Sequence, residues 1–304
     1  MASMRSIKRR KESVQSTQQI TKAMKLVSTV KLQRAKTRAE QSKAYFECMY
    51  ETVKSMLAKA GTINHPYLKA GESSKKAVIV ITSNRGLAGG YNSNVIKLIT
   101  KNEDLKKEDL KIYAIGKKGK DALERAGYEI AADYSDMIDE PVYIDAMNIA
   151  DTVLKAFSDG EVGEIYLAYT AFKNTVVHIP QFLKLLPVSG QETEAAETKT
   201  DADDKLLMNF EPEETEALDL IIPKYITSLI FGGMVDAVAS ENGARMQAMD
   251  SANKNGEELL NSLSLQYNRQ RQAKITQEIT EVAAGAKARR QQLQKKKRSQ
   301  STCK

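Results

Sequence analysis

Two glycine loops are the first residues in this chain that could do chemistry. Gly86-Leu-Ala-Gly-Gly90 and Gly116-Lys-Lys-Gly119 each follow an apolar, β-rich run. That is where the N–H groups of a loop and of the next helix can cradle a phosphate. Neither has the Lys-Ser/Thr pair of a Walker loop or the spacing of a dinucleotide fingerprint, so both read as turns at the C-terminal edge of a sheet. Only two histidines are present, His65 and His178, and neither lies near a cysteine or a carboxylate cluster at metal-ligand spacing. No nucleophile signature accompanies either, and His178, inside Val177-His178-Ile179, reads as a sheet residue. The carboxylates between Gln191 and Lys205 lack apolar neighbours that could raise a pKa, which makes them a solvated loop and not a general acid. Cys48 and Cys303 are isolated and are expected to stay reduced. The sequence predicts no catalytic residue, no cofactor and no metal site.

Stepping outward from the loops, the surrounding elements alternate. Ala77–Ser83 is a continuous β-branched run, read as a buried strand, and a helix over 94–101 follows with Asn92 or Ser93 as its cap. The unit repeats as strand 111–115, loop 116–119, helix 120–126 and strand 128–132, and continues with helix 143–157 and strand 164–169. Strands alternating with helices predict a mostly parallel sheet covered on both faces. Residues 175–187 carry two prolines among apolar residues and read as an extended edge.

The ends of the chain follow a different period. From about residue 4 to 58, Leu32, Ala35, Ala39, Ser42, Phe46, Met49, Val53 and Met56 recur at 3,4 spacing, and Ile20, Met24 and Val27 form a second stripe slipped by one position. From about 223 to 290, Met246, Met249, Asn253, Gly256, Leu260, Leu263 and Tyr267 repeat the spacing, resumed one position later by Ile275, Ile279, Val282 and Ala286. Two such ends can pair with each other. A short helix is expected from Glu211-Pro212-Glu213-Glu214, with Pro223 in the first turn of the long final one. Gly232, Gly233, Gly243 and Gly256 each cost up to about 1 kcal/mol against alanine in a helix, and fit either close approach of a neighbouring backbone or a bend.

Composition narrows the class. The chain has 304 residues, 41% hydrophobic and 28% charged. It shows no uninterrupted run of about 18 apolar residues to span a membrane, and its start lacks the apolar core of a signal peptide. A cytosolic setting is expected. Residues 1–60 hold 14 Lys/Arg against 4 Asp/Glu, while 190–220 hold 2 against 11. Basic helices suggest acidic partners, either nucleic acid or an acidic protein surface, and a solvated helix face explains the same charge. A basic coiled-coil nucleic-acid-binding protein is therefore the alternative reading.

Four segments decide between these readings. Thr17-Gln-Gln-Ile-Thr-Lys-Ala-Met-Lys-Leu-Val-Ser28 and Tyr267-Asn-Arg-Gln-Arg-Gln-Ala-Lys-Ile-Thr-Gln-Glu-Ile-Thr-Glu281 closely resemble the terminal motifs of the gamma subunit of F-type ATP synthase. Between them, Ser83–Asn92 resembles that family's strand-loop segment and Ala239–Asp250 its mid-helix segment, so the resemblance covers about residues 1–288. It implies an α/β chain: a long antiparallel coiled coil of the N- and C-terminal helices plus a central Rossmann-like α/β domain. The segments would be 1–60, 72–210, 211–290 and a basic tail 291–304.

The resemblance further implies a rotor without catalytic residues, turned by H+ or Na+ flow inside a ring of three alpha and three beta subunits. Its foot would meet the epsilon subunit and the c-subunit ring, peripheral to the cytoplasmic side of the cell membrane, with no nucleic acid bound. Residue by residue, Lys22, Met24, Lys25 and Arg245 match positions facing the acidic lever of the beta subunits. Arg271, Gln272 and Thr276, with Glu278 close by, match a polar cluster that meets a beta-subunit loop. Phe210 and Glu211 match an aromatic-acidic pair near the c ring. Met24 suits core packing as well as a lever contact. Ile275, Ile279 and Val282 suit a seam or a bearing surface, since dispersion contacts are non-directional. The chain departs from the family pattern at Ala88, where cysteine is common, at Gly243, where a larger residue is usual, and in its basic tail. The paired cysteines of the plastid form are absent, which favours a bacterial-type subunit.

Overall fold

A computed structural model of the chain describes residues 4–59, 65–71, 73–102, 105–188 and 214–301. Phe210, Glu211 and the acidic segment 191–205 lie outside the described residues. The chain falls into two compact units, Met1–Met24 with Met249–Lys304, and Lys25–Ala248.

Lys25–Ala248 is built on a five-stranded sheet of β1 (Lys76–Ile81), β2 (Leu110–Ile115), β3 (Glu129–Asp133), β4 (Glu164–Phe172) and β5 (His178–Leu186), in the order β3-β2-β1-β4-β5. All pairs are parallel except β4 with β5. Helices α2 (Tyr91–Thr100), α3 (Lys117–Arg125) and α4 (Tyr143–Ser158) connect the parallel strands. Central β1 is buried along nearly its whole length, the mark of a strand covered on both faces. On one face Val78 and Val80 pack with Val95, Ile99 and Leu123 of α2 and α3. On the other, Ile79 and Ile81 pack with Ile149 and Val153 of α4 and with Ile222, Ile226, Ile230 and Met234 of the last helix.

The two long helices are α1 (Met4–Lys59, 56 residues) and α5 (Glu214–Ser301, 88 residues). At 1.5 Å per residue they measure roughly 84 and 132 Å. α5 runs unbroken from Glu214 through Pro223, so the short helix and the fresh start expected there are one element. Pro223 forfeits one backbone hydrogen bond, but Ile222 and Ile226 on either side are fully buried against the sheet and hold the helix through it. α5 also contains an 18-residue window of mean hydropathy 1.4, long and apolar enough by composition to cross a membrane. Half of that window is buried inside the protein.

In each unit the helices run antiparallel. In Lys25–Ala248, Leu32 and Ala35 pack on Ala239, and Phe46 lies against Phe231 and Gly232 further back along α5. In the other unit Gln18 and Thr21 meet Asn253, and Gln18 faces Gly256. The α5 stripe expected from spacing is observed, with Met249 and Leu263 buried and Asn253, Gly256, Leu260 and Tyr267 half-buried. The slipped stripe on α1 is not, because Ile20 and Val27 are each 58% exposed. Burial instead keeps one register through Ile7, Val14, Gln18, Thr21, Lys25, Ser28, Leu32 and Ala35. Polar residues simply take over the inward positions for three turns.

Candidate functional site

The two glycine loops are stitched to each other. Thr82, at the end of β1, accepts the Gly119 N–H on its hydroxyl at 2.9 Å and donates that hydroxyl to the Gly116 carbonyl at 3.1 Å. A Cβ on Gly116, whose φ is +107°, would sit 2.1 Å from the Thr82 carbonyl oxygen, so glycine there answers close packing of two turns. The Lys117 N–H goes to the Asn84 side-chain carbonyl at 3.0 Å and the Lys118 N–H to the Ser83 carbonyl at 3.1 Å. The donors at the start of α3, which a phosphate would need, are already spent inside the chain.

The crevice at the carboxyl ends of the strands, where such sheets take ligands, is closed from the side by α5. Arg245 and Glu241, one helical turn apart, pair at 2.7 Å with side chains only 10% and 12% exposed. The Arg245 guanidinium also donates to the carbonyls of Arg85 and Gly86, each at 3.3 Å. Burial pushes the Glu241 carboxyl above its ordinary pKa while Arg245 pulls it back. The Tyr91 hydroxyl is buried close by without a hydrogen-bond partner, its pKa raised by burial and by Glu241. Ser240 adds a hydrogen bond from its hydroxyl to the Thr170 carbonyl of β4. Within the chain, Arg245 reaches from α5 to the first glycine loop, and its expected contact with a beta subunit remains a proposal. Glu241 is the residue that sequence reading missed, although its i,i+4 spacing to Arg245 was visible.

Both histidines serve structure. His65 accepts the Tyr67 N–H on Nδ1 at 3.2 Å and meets Asp219 through Nε2 at 3.1 Å, which caps the short turn Pro66–Leu68. The His178 Nε2 is buried without a hydrogen-bond partner, and burial lowers its pKa. Its ring occupies the space above Gly243, where an added Cβ would come within 2.5 Å of Nε2. Among the described residues, no group of three or more His, Cys, Asp and Glu is placed to hold a metal ion.

The remaining expected residues lie on helix surface. Lys22 is exposed, and Met24 and Lys25 are half-buried within the same turn of α1. Arg271, Gln272, Thr276 and Glu278 are all exposed on α5. There the Thr276 hydroxyl donates to the Gln272 carbonyl at 3.0 Å, and Glu278 lies 3.7 Å from Lys274 in a solvent-facing pair of little energetic weight. Every described side chain from 271 to 292 is exposed, including Ile275 at 44%, Ile279 at 64% and Val282 at 73%. An apolar row displayed on a helix this long is a surface made for covering.

The comparisons identify this combination of a long helix pair and a Rossmann-like sheet. The family model described as ATP synthase matches residues 3–288. The ATP synthase gamma chain of Lachnoclostridium phytofermentans is 63% identical over 290 residues, covering 95% of this chain and 99% of that one. A gamma chain described as sodium ion specific, from Acetobacterium woodii, is 40% identical over 294 residues, covering 93% and 97%. Among solved structures, a chain of the Euglena gracilis mitochondrial ATP synthase, in a structure of OSCP, F1 and c-ring in rotational state 3, aligns with a TM-score of 0.67 at 20% identity over 94% of each chain. The chain belongs to the ATP synthase gamma-chain family.

Proposed function

We propose that this chain is the central rotor shaft of an F-type ATP synthase, a non-catalytic subunit that couples H+ or Na+ flow to ATP synthesis and hydrolysis at the beta subunits. The observation that carries the reading is the stretch of α5 from 271 to 292, whose described side chains are all exposed, with Ile275, Ile279 and Val282 among them. Three alpha and three beta subunits form the sleeve around it. Lys22, Met24 and Lys25 meet the acidic lever of beta, and Arg271, Gln272, Thr276 and Glu278 meet a beta-subunit loop. Such contacts must break at each step, which suits exposed charges such as Lys22 and Arg271, worth at most about 1 kcal/mol each. The epsilon subunit and the c ring bind at the foot, with Phe210 and Glu211 beside the ring, and the complex lies on the cytoplasmic side of the cell membrane. The ATP synthase family match and the ATP synthase gamma chains described above favour this reading over nucleic-acid binding.

The test is assembly with alpha and beta subunits followed by ATP-driven ion pumping in vesicles. Co-purification, with pumping per ATP reduced several-fold by Lys22→Glu with Lys25→Glu, supports the proposal. A chain that stays apart while the other subunits assemble and pump without it sinks the idea.

A further inference from the structure

A cavity of about 370 Å³ opens between α1, α5 and β4, a volume within the range of small-molecule sites. Phe46, Met49 and Tyr50 of α1 form one wall, Tyr225 and Leu229 of α5 another, and Tyr169 of β4 a third. The Tyr169 ring is held in place by its hydroxyl, which donates to Gln181 on β5 at 2.8 Å. Gly232 leaves the α5 side open, since an added Cβ would come only within 3.8 Å of the Phe46 ring, whereas Gly233 packs tightly on Leu167 of β4. Among the described residues, the charged side chains lining this cavity are two acids, Asp236 within and Glu40 on exposed helix surface. Asp236 takes one long hydrogen bond, from the Phe172 N–H at 3.5 Å. Its carboxylate keeps acceptor capacity for a donor brought by a ligand. Burial accordingly pushes it up to about 6.

From this arrangement we infer that the cavity is a binding site for a small amphipathic organic cation, an ammonium carried on an aryl or alkyl body. The ammonium pairs with Asp236 in a site where aromatic faces also attract positive charge, and the apolar body lies among Phe46, Met49 and Leu229. Two helices supply opposite walls, so an occupant ties α1 to α5. This site is separate from the coupling surfaces proposed above, and its test reads binding alone.

The experiment is calorimetric titration of the full-length chain with 4-phenylbutylamine, and in parallel with the neutral 4-phenylbutan-1-ol. Saturable 1:1 binding of the amine, at least about tenfold tighter than the alcohol, is the expected result, since one charge-assisted contact is worth about that factor. Asp236→Asn should erase the preference for the amine, and binding to the wild-type chain should weaken between pH 8 and pH 5 as the carboxyl gains its proton. Absence of saturable binding up to millimolar amine, equal affinity for amine and alcohol, or a preference that survives Asp236→Asn overturns the inference. The amine-to-alcohol comparison uses the wild-type chain and stands whatever the variant's stability.

Discussion

Replacing Arg245 with leucine separates a partner contact from an internal strap. The guanidinium is 2.7 Å from the Glu241 carboxylate, and both side chains are about nine-tenths buried. Removing one member of such a pair leaves a buried charge without compensation, which costs about 3–5 kcal/mol. The carbonyls of Arg85 and Gly86 also lose the 3.3 Å donors that tie α5 to the first glycine loop. For a unit of this size each kcal/mol lowers Tm by about 2–4 °C, so Arg245→Leu should fall by roughly 6–20 °C. Changing Glu241 to leucine as well removes the stranded charge, and the double variant should recover most of the loss. The deficit of the single variant should also shrink as pH falls. The Glu241 carboxyl already sits above its ordinary pKa through burial. Without Arg245 it rises further, and protonation relieves the penalty in acid. Thermal melts of the full-length chain followed by circular dichroism at pH 5 and pH 8 measure all three effects. A single variant within about 1 kcal/mol of wild type that nonetheless loses ATP-driven pumping would refute the strap and return Arg245 to the beta-facing surface.

Two further substitutions probe the same unit. Gly243→Ala places a Cβ 2.5 Å from the His178 Nε2 and should destabilise by about 1–3 kcal/mol. Combining it with His178→Ala should more than restore stability, because alanine gains about 1 kcal/mol over glycine once the ring is gone, as thermal melts of the three variants will show. Asp236→Asn should stabilise the chain above neutral pH by up to about 3 kcal/mol, the linkage value of a carboxyl raised from 3.8 to about 6. The sign follows because the fold disfavours the charged form. The advantage is full above pH 6, shrinks as pH falls and vanishes below about pH 4, where the wild-type group is protonated in both states. A pH-independent difference in denaturation midpoint would contradict it.

The strands were legible because β-branched runs such as Ala77–Ile81 leave little choice of period. The α5 stripe from Met249 to Tyr267 was legible for the same kind of reason. The slip assigned to Ile20 and Val27 failed because the inward positions there are Gln18, Thr21 and Ser28, and apolarity alone points to the wrong face. Their polarity is satisfied partly across the helix pair, where Thr21 and Gln18 meet Asn253. α3 starts at Lys117 and not at 120 because its first N–H groups find acceptors on a loop more than thirty residues earlier in the chain. Local sequence carries no trace of such a partner. Arg245 shows the same limit of local reading: its internal carboxylate Glu241 sits one turn away, and the burial of the pair comes only from the fold.

The exposed stretch of α5 beyond Gln270 also bears on how the molecule acquires its order. A helix without tertiary packing holds its hydrogen bonds by propensity alone, and such segments open with free energies near zero. In the free chain, amides past 271 should exchange with solvent orders of magnitude faster than those of β1. Under the proposed role, insertion into a sleeve of partner subunits would do two things at once, supplying the surroundings against which the tip turns and completing the folding of the tip itself. Assembly and folding of this segment become a single equilibrium, so whatever loosens the sleeve also softens the axle.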